Sequence, residues 1–102
     1  MSVVEIGSTV RWRETSARTR TLSHTRRIIG KQEFGERMNR AIEELGTRPN
    51  PRSVFEARAR IYDEFMEHTA PVAQGLLGKA VGDTVEVDTP AGLKLIRILT
   101  TE

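Results

Sequence analysis

A strict apolar stripe, stopped by a glycine and followed by two prolines, divides this chain into three parts. Phe34, Met38, Ala41, Ile42 and Leu45 fall at i, i+4, i+7, i+8 and i+11. That spacing puts all five on one face of an α-helix over residues 31–45. Gly46 supplies the stop, because glycine takes the left-handed conformation at little cost. Pro49, Asn50 and Pro51 then make a stiff turn. A second helix is predicted from Ser53 to about Glu67. Ser53 and Glu56 have the spacing of a capping box, and Val54, Phe55, Ile61, Tyr62, Phe65 and Met66 form the apolar set. Two helices joined by so short a turn pack antiparallel. Neither stripe keeps a long heptad, so no extended coiled coil is expected.

The flanks read as strands. In residues 3–13, Val10 and Trp12 alternate with Arg11 and Arg13, the two-residue period of a half-buried strand. A turn is expected at Ile6-Gly7-Ser8. Residues 14–20 are polar and suit an exposed hairpin loop, and residues 21–29 suit a second strand. After the helices, Pro71 opens a short helix to about Gly78, burying Leu76 and Leu77. Val81-Gly82-Asp83 is a turn, Thr84 to Val87 a strand, Pro90-Ala91-Gly92 a hairpin turn, and Leu93 to Leu99 the return strand. In that last strand both alternating sets are partly apolar, as in a strand covered on both faces.

Length and composition bound the function. The 102 residues fit one domain. Five aromatic residues leave a mainly aliphatic core. No cysteine is present, which excludes disulfides, thiolate catalysis and cysteine-based zinc sites. No apolar run is long enough to span a bilayer and no signal peptide is visible, so a cytoplasmic location is expected. The net charge of +2 is unevenly spread: residues 1–30 carry six arginines against two glutamates.

The run APVAQGLLGKAVGDTVEVDTPAGLKLIRI, Ala70 to Ile98, contains Pro71-Val72, Leu76-Leu77-Gly78-Lys79, Gly82-Asp83, Val85-Glu86-Val87 and Pro90-Ala91-Gly92 in unbroken order. This ordered set resembles the C-terminal domain of the bacterial GreA/GreB transcript-cleavage factors. Two shorter stretches, Ile6-Gly7-Ser8-Thr9-Val10 and Arg26-Arg27-Ile28-Ile29-Gly30, resemble strands that precede it in that family. The resemblance implies an α+β, FKBP-like fold: a small antiparallel sheet against a short helix. It also implies docking on the rim of the secondary channel of bacterial RNA polymerase. The chain departs from the family pattern in three ways. The family's N-terminal coiled coil, whose acidic tip helps hold a catalytic magnesium ion, is not expected here. A helical hairpin over about 31–69 is inserted in a single domain, 1–102, where the family has a short connection. Alanine, Ala70, stands in place of the docking serine.

The residues themselves favour binding over catalysis. Recruiting magnesium needs carboxylates at the hairpin tip. The tip instead offers Arg48, Asn50 and Arg52, with Glu43 and Glu44 a turn away. About 15 residues of helix reach only about 22 Å. Glu64 and His68, at i and i+4, would share a helix face, but two ligands do not make a metal site. No catalytic triad order, P-loop or dinucleotide fingerprint occurs. Prolyl isomerisation would rest on fold analogy alone. An aromatic-lined proline pocket is hard to build when most of the aromatics lie on the hairpin.

The expectation is therefore a non-enzymatic, polymerase-binding regulator with no cofactor or metal, docking through Thr69, Ala70, Pro71 and Val72. It would not stimulate transcript cleavage. The tip Arg48, Asn50 and Arg52 would be the effector surface. Arg11, Arg13, Arg18, Arg20, Arg26 and Arg27 form a candidate patch for nucleic acid or an acidic surface, although Trp12 alone could stack on bases. The hairpin could also pair two copies of the chain. The alternative is a standalone interaction or nucleic-acid-binding module on the same fold.

Overall fold

The computed structural model describes residues 3–16, 19–46 and 48–102, with the backbone alone at 19 and 20. The chain is a mixed α+β fold. Its elements run β1 (Thr9–Ser16), β2 (Thr19–Ile29), α1 (Lys31–Glu44), α2 (Pro51–Tyr62), β3 (Phe65–Glu67), α3 (Pro71–Leu76), β4 (Thr84–Thr89) and β5 (Gly92–Thr101). The strands form one sheet in the order β3-β2-β1-β5-β4.

Alternation decides which side of the sheet carries the main core. Val10 and Trp12 of β1, Ile28 of β2, Val87 of β4 and Ile96 and Ile98 of β5 are buried on one face, together with Met66, Ala73 and Leu76. α3 packs beneath this face against β4, with Leu76 fully buried. The N-terminal segment is tied to the end of α3: Val4 N–H donates to the Lys79 carbonyl at 2.7 Å and the Val4 carbonyl accepts from Gly78 N–H at 2.8 Å.

α1 and α2 build a second, smaller core: Ile29, Met38, Ala41, Ala57 and Ile61 are buried together, flanked by Phe34, Ile42, Leu45, Val54 and Phe65. The Phe34 ring, near the start of α1, meets Tyr62 at the end of α2, with centroids 6.1 Å apart. The helices are thus antiparallel, as the short turn requires. Gly46 takes φ 68° after the C-cap Leu45.

Three sequence expectations need correction. First, strand pairing continues through Glu14 and on to Ser16–Thr19, so the expected loop over 14–20 is mostly sheet. Polar residues suit a strand here because Glu14, although buried, meets the Lys94 ammonium at 3.1 Å across the sheet. Second, α2 starts at Pro51 and its capping box is Asn50 with Ser53, not Ser53 with Glu56. The Asn50 side chain accepts from Ser53 N–H, and Ser53 Oγ accepts from Asn50 N–H, both at 2.9 Å. Third, the helix stops at Tyr62, and residues 65–67 join the sheet edge parallel to β2. The sheet is therefore mixed rather than antiparallel. This ending also separates Glu64 from His68, which share no helix face.

Candidate functional site

α3 begins where the candidate docking segment lies. Ala70 is its N-cap, Pro71 its first residue, and no side chain caps it. Proline is preorganised for that position and gives up no needed N–H. Pro71 and Thr69 are exposed, while Ala70 and Val72 are half-buried against the main core.

Ala70, Pro71 and Val72 border a groove of about 500 Å³. Trp12 and Met66 form its sheet side, Tyr62 and Phe65 come from the end of the hairpin, and Thr89-Pro90-Ala91 closes it from the β4–β5 turn. Thr69 does not line it. Two cations stand at the groove. Arg26 is committed: its Nε donates to the Tyr62 carbonyl at 2.8 Å, tethering the end of α2 to β2. Lys94 pairs with Glu14. The His24 ring lies 5.4 Å from Trp12, and its Nε2 is 3.7 Å from Glu14 Oε2, too long for a hydrogen bond. Trp12 Nε1 is buried with no hydrogen-bond partner among the described residues.

Of the aromatic residues at this groove, the Phe65 ring is turned to the other face, under Arg27 and Arg37. The ending of α2 brings Tyr62 back to the sheet, to the groove that Trp12 lines. Sequence reasoning did not identify Trp12, Tyr62, Phe65, Thr89 or Lys94 as groove residues. The buried phase of Trp12 in β1 was a visible signal; the partners it meets are distant in sequence.

Of the described members of the predicted arginine patch, Arg26 stands apart from the rest. Arg11 and Arg13 stand on the face opposite Trp12. Arg26 faces the groove, being paired with Val10 across the strands. Arg27 is held by Glu33, which also accepts from Arg37 Nε at 2.8 Å. The hydrogen bond from Arg37 is the main cause holding the Glu33 carboxyl below its ordinary range; burial opposes it and Arg27 adds to it. Both guanidiniums sit over the Phe65 ring, at 5.1 and 3.9 Å. Arg18 lies outside the described residues, and only the backbone of Arg20, within β2, is described.

At the hairpin tip Arg48 is exposed, Asn50 is used as the cap of α2, and Arg52 lies 3.5 Å from Glu56. Phe55, counted in the apolar stripe of α2, points outward with 71% of its surface exposed. Among the described residues no group of three or more His, Cys, Asp or Glu side chains could hold a metal ion. No described helix is long and apolar enough to cross a membrane.

Residues 54–102 match the family model for the transcription elongation factor GreA/GreB C-terminal domain. The C-terminal half of the chain belongs to that family. The GreA transcription elongation factor of Ruegeria pomeroyi is 34% identical over 76 residues, which is 74% of this chain and 49% of that protein. GreA of Rickettsia prowazekii is 45% identical over 49 residues, 48% of this chain and 30% of that one. This chain therefore spans half or less of these relatives' length. Among solved structures, the GreA factor homolog 1 (Gfh1) of Thermus thermophilus superposes with a TM-score of 0.57 at 18% identity, over 99% of this chain and 49% of that one. Thermus aquaticus Gfh1 gives 0.54 at 22%, over 98% and 48%. These two likenesses concern the fold.

Proposed function

We propose that this chain is a bacterial transcription regulator that binds RNA polymerase at the secondary-channel rim, without stimulating transcript cleavage and without being an enzyme. The observation that carries the reading is the place of Ala70-Pro71-Val72, the segment matching the docking loop of the resembled family. It lies beside an apolar groove lined by Trp12, Tyr62 and Met66. A buried apolar and aromatic centre is where protein interfaces gather binding energy. Membership of the GreA/GreB C-terminal family supports the choice of partner. We read the sheet over α3 as the FKBP-like form, and the cytoplasm as the place of action. The hairpin tip, with Arg48 and Arg52 in place of carboxylates, is the effector surface and acts by obstruction rather than by holding metal.

The test is capture of cognate core RNA polymerase by the wild type and by Pro71→Asp. Pro71 is exposed at the first position of α3, where a carboxylate suits the positive end of a helix, so the variant should fold. Polymerase held by the wild type and lost by Pro71→Asp is the expected result. Failure of the wild type to bind would overturn the proposal.

A further inference from the structure

The sheet also has an exposed arginine-bearing face, opposite the groove. Arg13 of β1 and Arg97 of β5 are directly opposed cross-strand partners. Their side chains therefore share one face about 5 Å apart at Cβ, and like charges so placed repel. Arg11 stands two residues along on the same face. All three are exposed. Among the described residues none of the three has an ion-pair partner, whereas Arg27, Arg37 and Arg52 each have one. Acids that the register puts on this face are Glu86, diagonal to Arg97, Asp88 two residues further along β4, and Glu102, beside Thr9.

The remaining partners of these arginines are hydroxyls. Arg13 is opposed on its other side by Ser23, Arg11 by Thr25 and Thr100, and Arg97 by Thr84. Exposed guanidiniums and the hydroxyls that flank them can all donate to an anionic oxygen; the exposed Leu95 and Leu93 and the carboxylates of β4 lie beyond Arg97 on the same face. No aromatic side chain stands among them: Trp12 faces the groove, and Phe65 is roofed by Arg37. Base stacking, the main source of single-strand affinity, is therefore missing. Duplex DNA needs no stacking and carries about one charge per 1.7 Å, so it suits a flat cationic face best.

We propose that Arg11, Arg13 and Arg97 form a sequence-independent binding face for the phosphate backbone of double-stranded DNA. Arg97 sits 84 positions after Arg13, so only the sheet register unites them. The proposal stands independently of polymerase docking, because the groove is on the other face.

The test is fluorescence anisotropy of a short labelled duplex of arbitrary sequence, titrated with the full chain at several salt concentrations. Three phosphate contacts predict a log–log salt slope of about −2.7, or about forty-fold weaker binding at 200 mM than at 50 mM salt. Arg13→Gln combined with Arg97→Gln should flatten the slope to about −0.9 and weaken low-salt binding by more than about tenfold. That variant removes a like-charge pair, so it should unfold no more easily than wild type and should still capture polymerase if the wild type does. Arg48→Gln with Arg52→Gln, at the hairpin tip, should leave duplex binding unchanged. No duplex binding at low salt would overturn the proposal, as would equal binding by Arg13→Gln/Arg97→Gln. Equal or tighter affinity for a single strand or for polyglutamate would also overturn it, the latter pointing to an acidic protein surface instead.

Discussion

At Gly75, in the middle of α3, a Cβ would sit 2.5 Å from Val87 Cγ2. The glycine is there for proximity, and the helix can approach β4 only without a side chain at this point. Valine is stiff at χ1 and Val87 is buried, so it cannot swing aside. Gly75→Ala should therefore cost about 1–3 kcal/mol in urea unfolding. The cost should shrink in a Val87→Ala background, and an unchanged cost there would refute the contact as its cause. Glu33 makes a second residue-scale prediction. Its carboxyl is held below the ordinary range, first by the Arg37 hydrogen bond. A depressed folded-state pKa contributes stability that is present above the unfolded value and is lost as pH falls through the folded one. Glu33→Gln should thus be less stable than wild type near neutral pH, by no more than about 1 kcal/mol for so exposed a cluster. The gap should close below about pH 4 in thermal melts across pH. A gap that persisted in acid would show that shape, not charge, is responsible.

At the scale of elements, the end of α3 that borders the groove is also its least finished end. Ala70 occupies the N-cap with no side-chain acceptor, and the helix has only six residues. The resembled family has serine there, and a serine hydroxyl can accept from a first-turn N–H. Ala70→Ser should raise stability by about 0.5–1 kcal/mol, read as a higher urea midpoint with an unchanged slope. A lower midpoint would mean that the half-buried methyl of Ala70 matters more than the missing cap. Such local signals explain what was legible. The α1 stripe, the Gly46 stop, the Gly82 and Gly92 turns and the β4–β5 hairpin each follow from residues close in sequence. β3 was not legible, because Phe65-Met66-Glu67 continues the helical period of α2. Only the vacant edge of β2 makes those residues a strand, through the pairs Arg27–Phe65 and Ile28–Met66. The groove was hidden for the same reason. Pro71 and Val72 could be singled out one by one, but their meeting with Trp12, 59 positions before Pro71, is a product of the sheet.

The whole molecule is extended, with principal extents of 43 × 32 × 17 Å and a radius of gyration of 14.6 Å. A compact domain of this length would be near 13 Å. The excess reflects two cores side by side rather than one. The sheet core joins β1, β2, β4, β5 and α3, with ten buried residues. The hairpin core has five, and reaches the sheet through Ile29 and the flanking Phe65. A smaller core bounded by exposed helix faces should open at lower free energy than a sheet tied by strands from both ends of the chain. Native-state hydrogen exchange should therefore show α1 and α2 amides exchanging together through a partial opening, while β1 and β5 amides exchange only on global unfolding. Met38→Ala removes a side chain from the hairpin core alone. It should lower the protection of α1 and α2 by about 2–4 kcal/mol. It should leave the sheet amides protected to whatever extent sheet and hairpin unfold separately. If the helices and the central strands instead exchange at one common free energy, the two cores form a single cooperative unit. The joint at Ile29 and β3 would then be stronger than its few contacts suggest, and the hairpin would act as a rigid arm on the sheet.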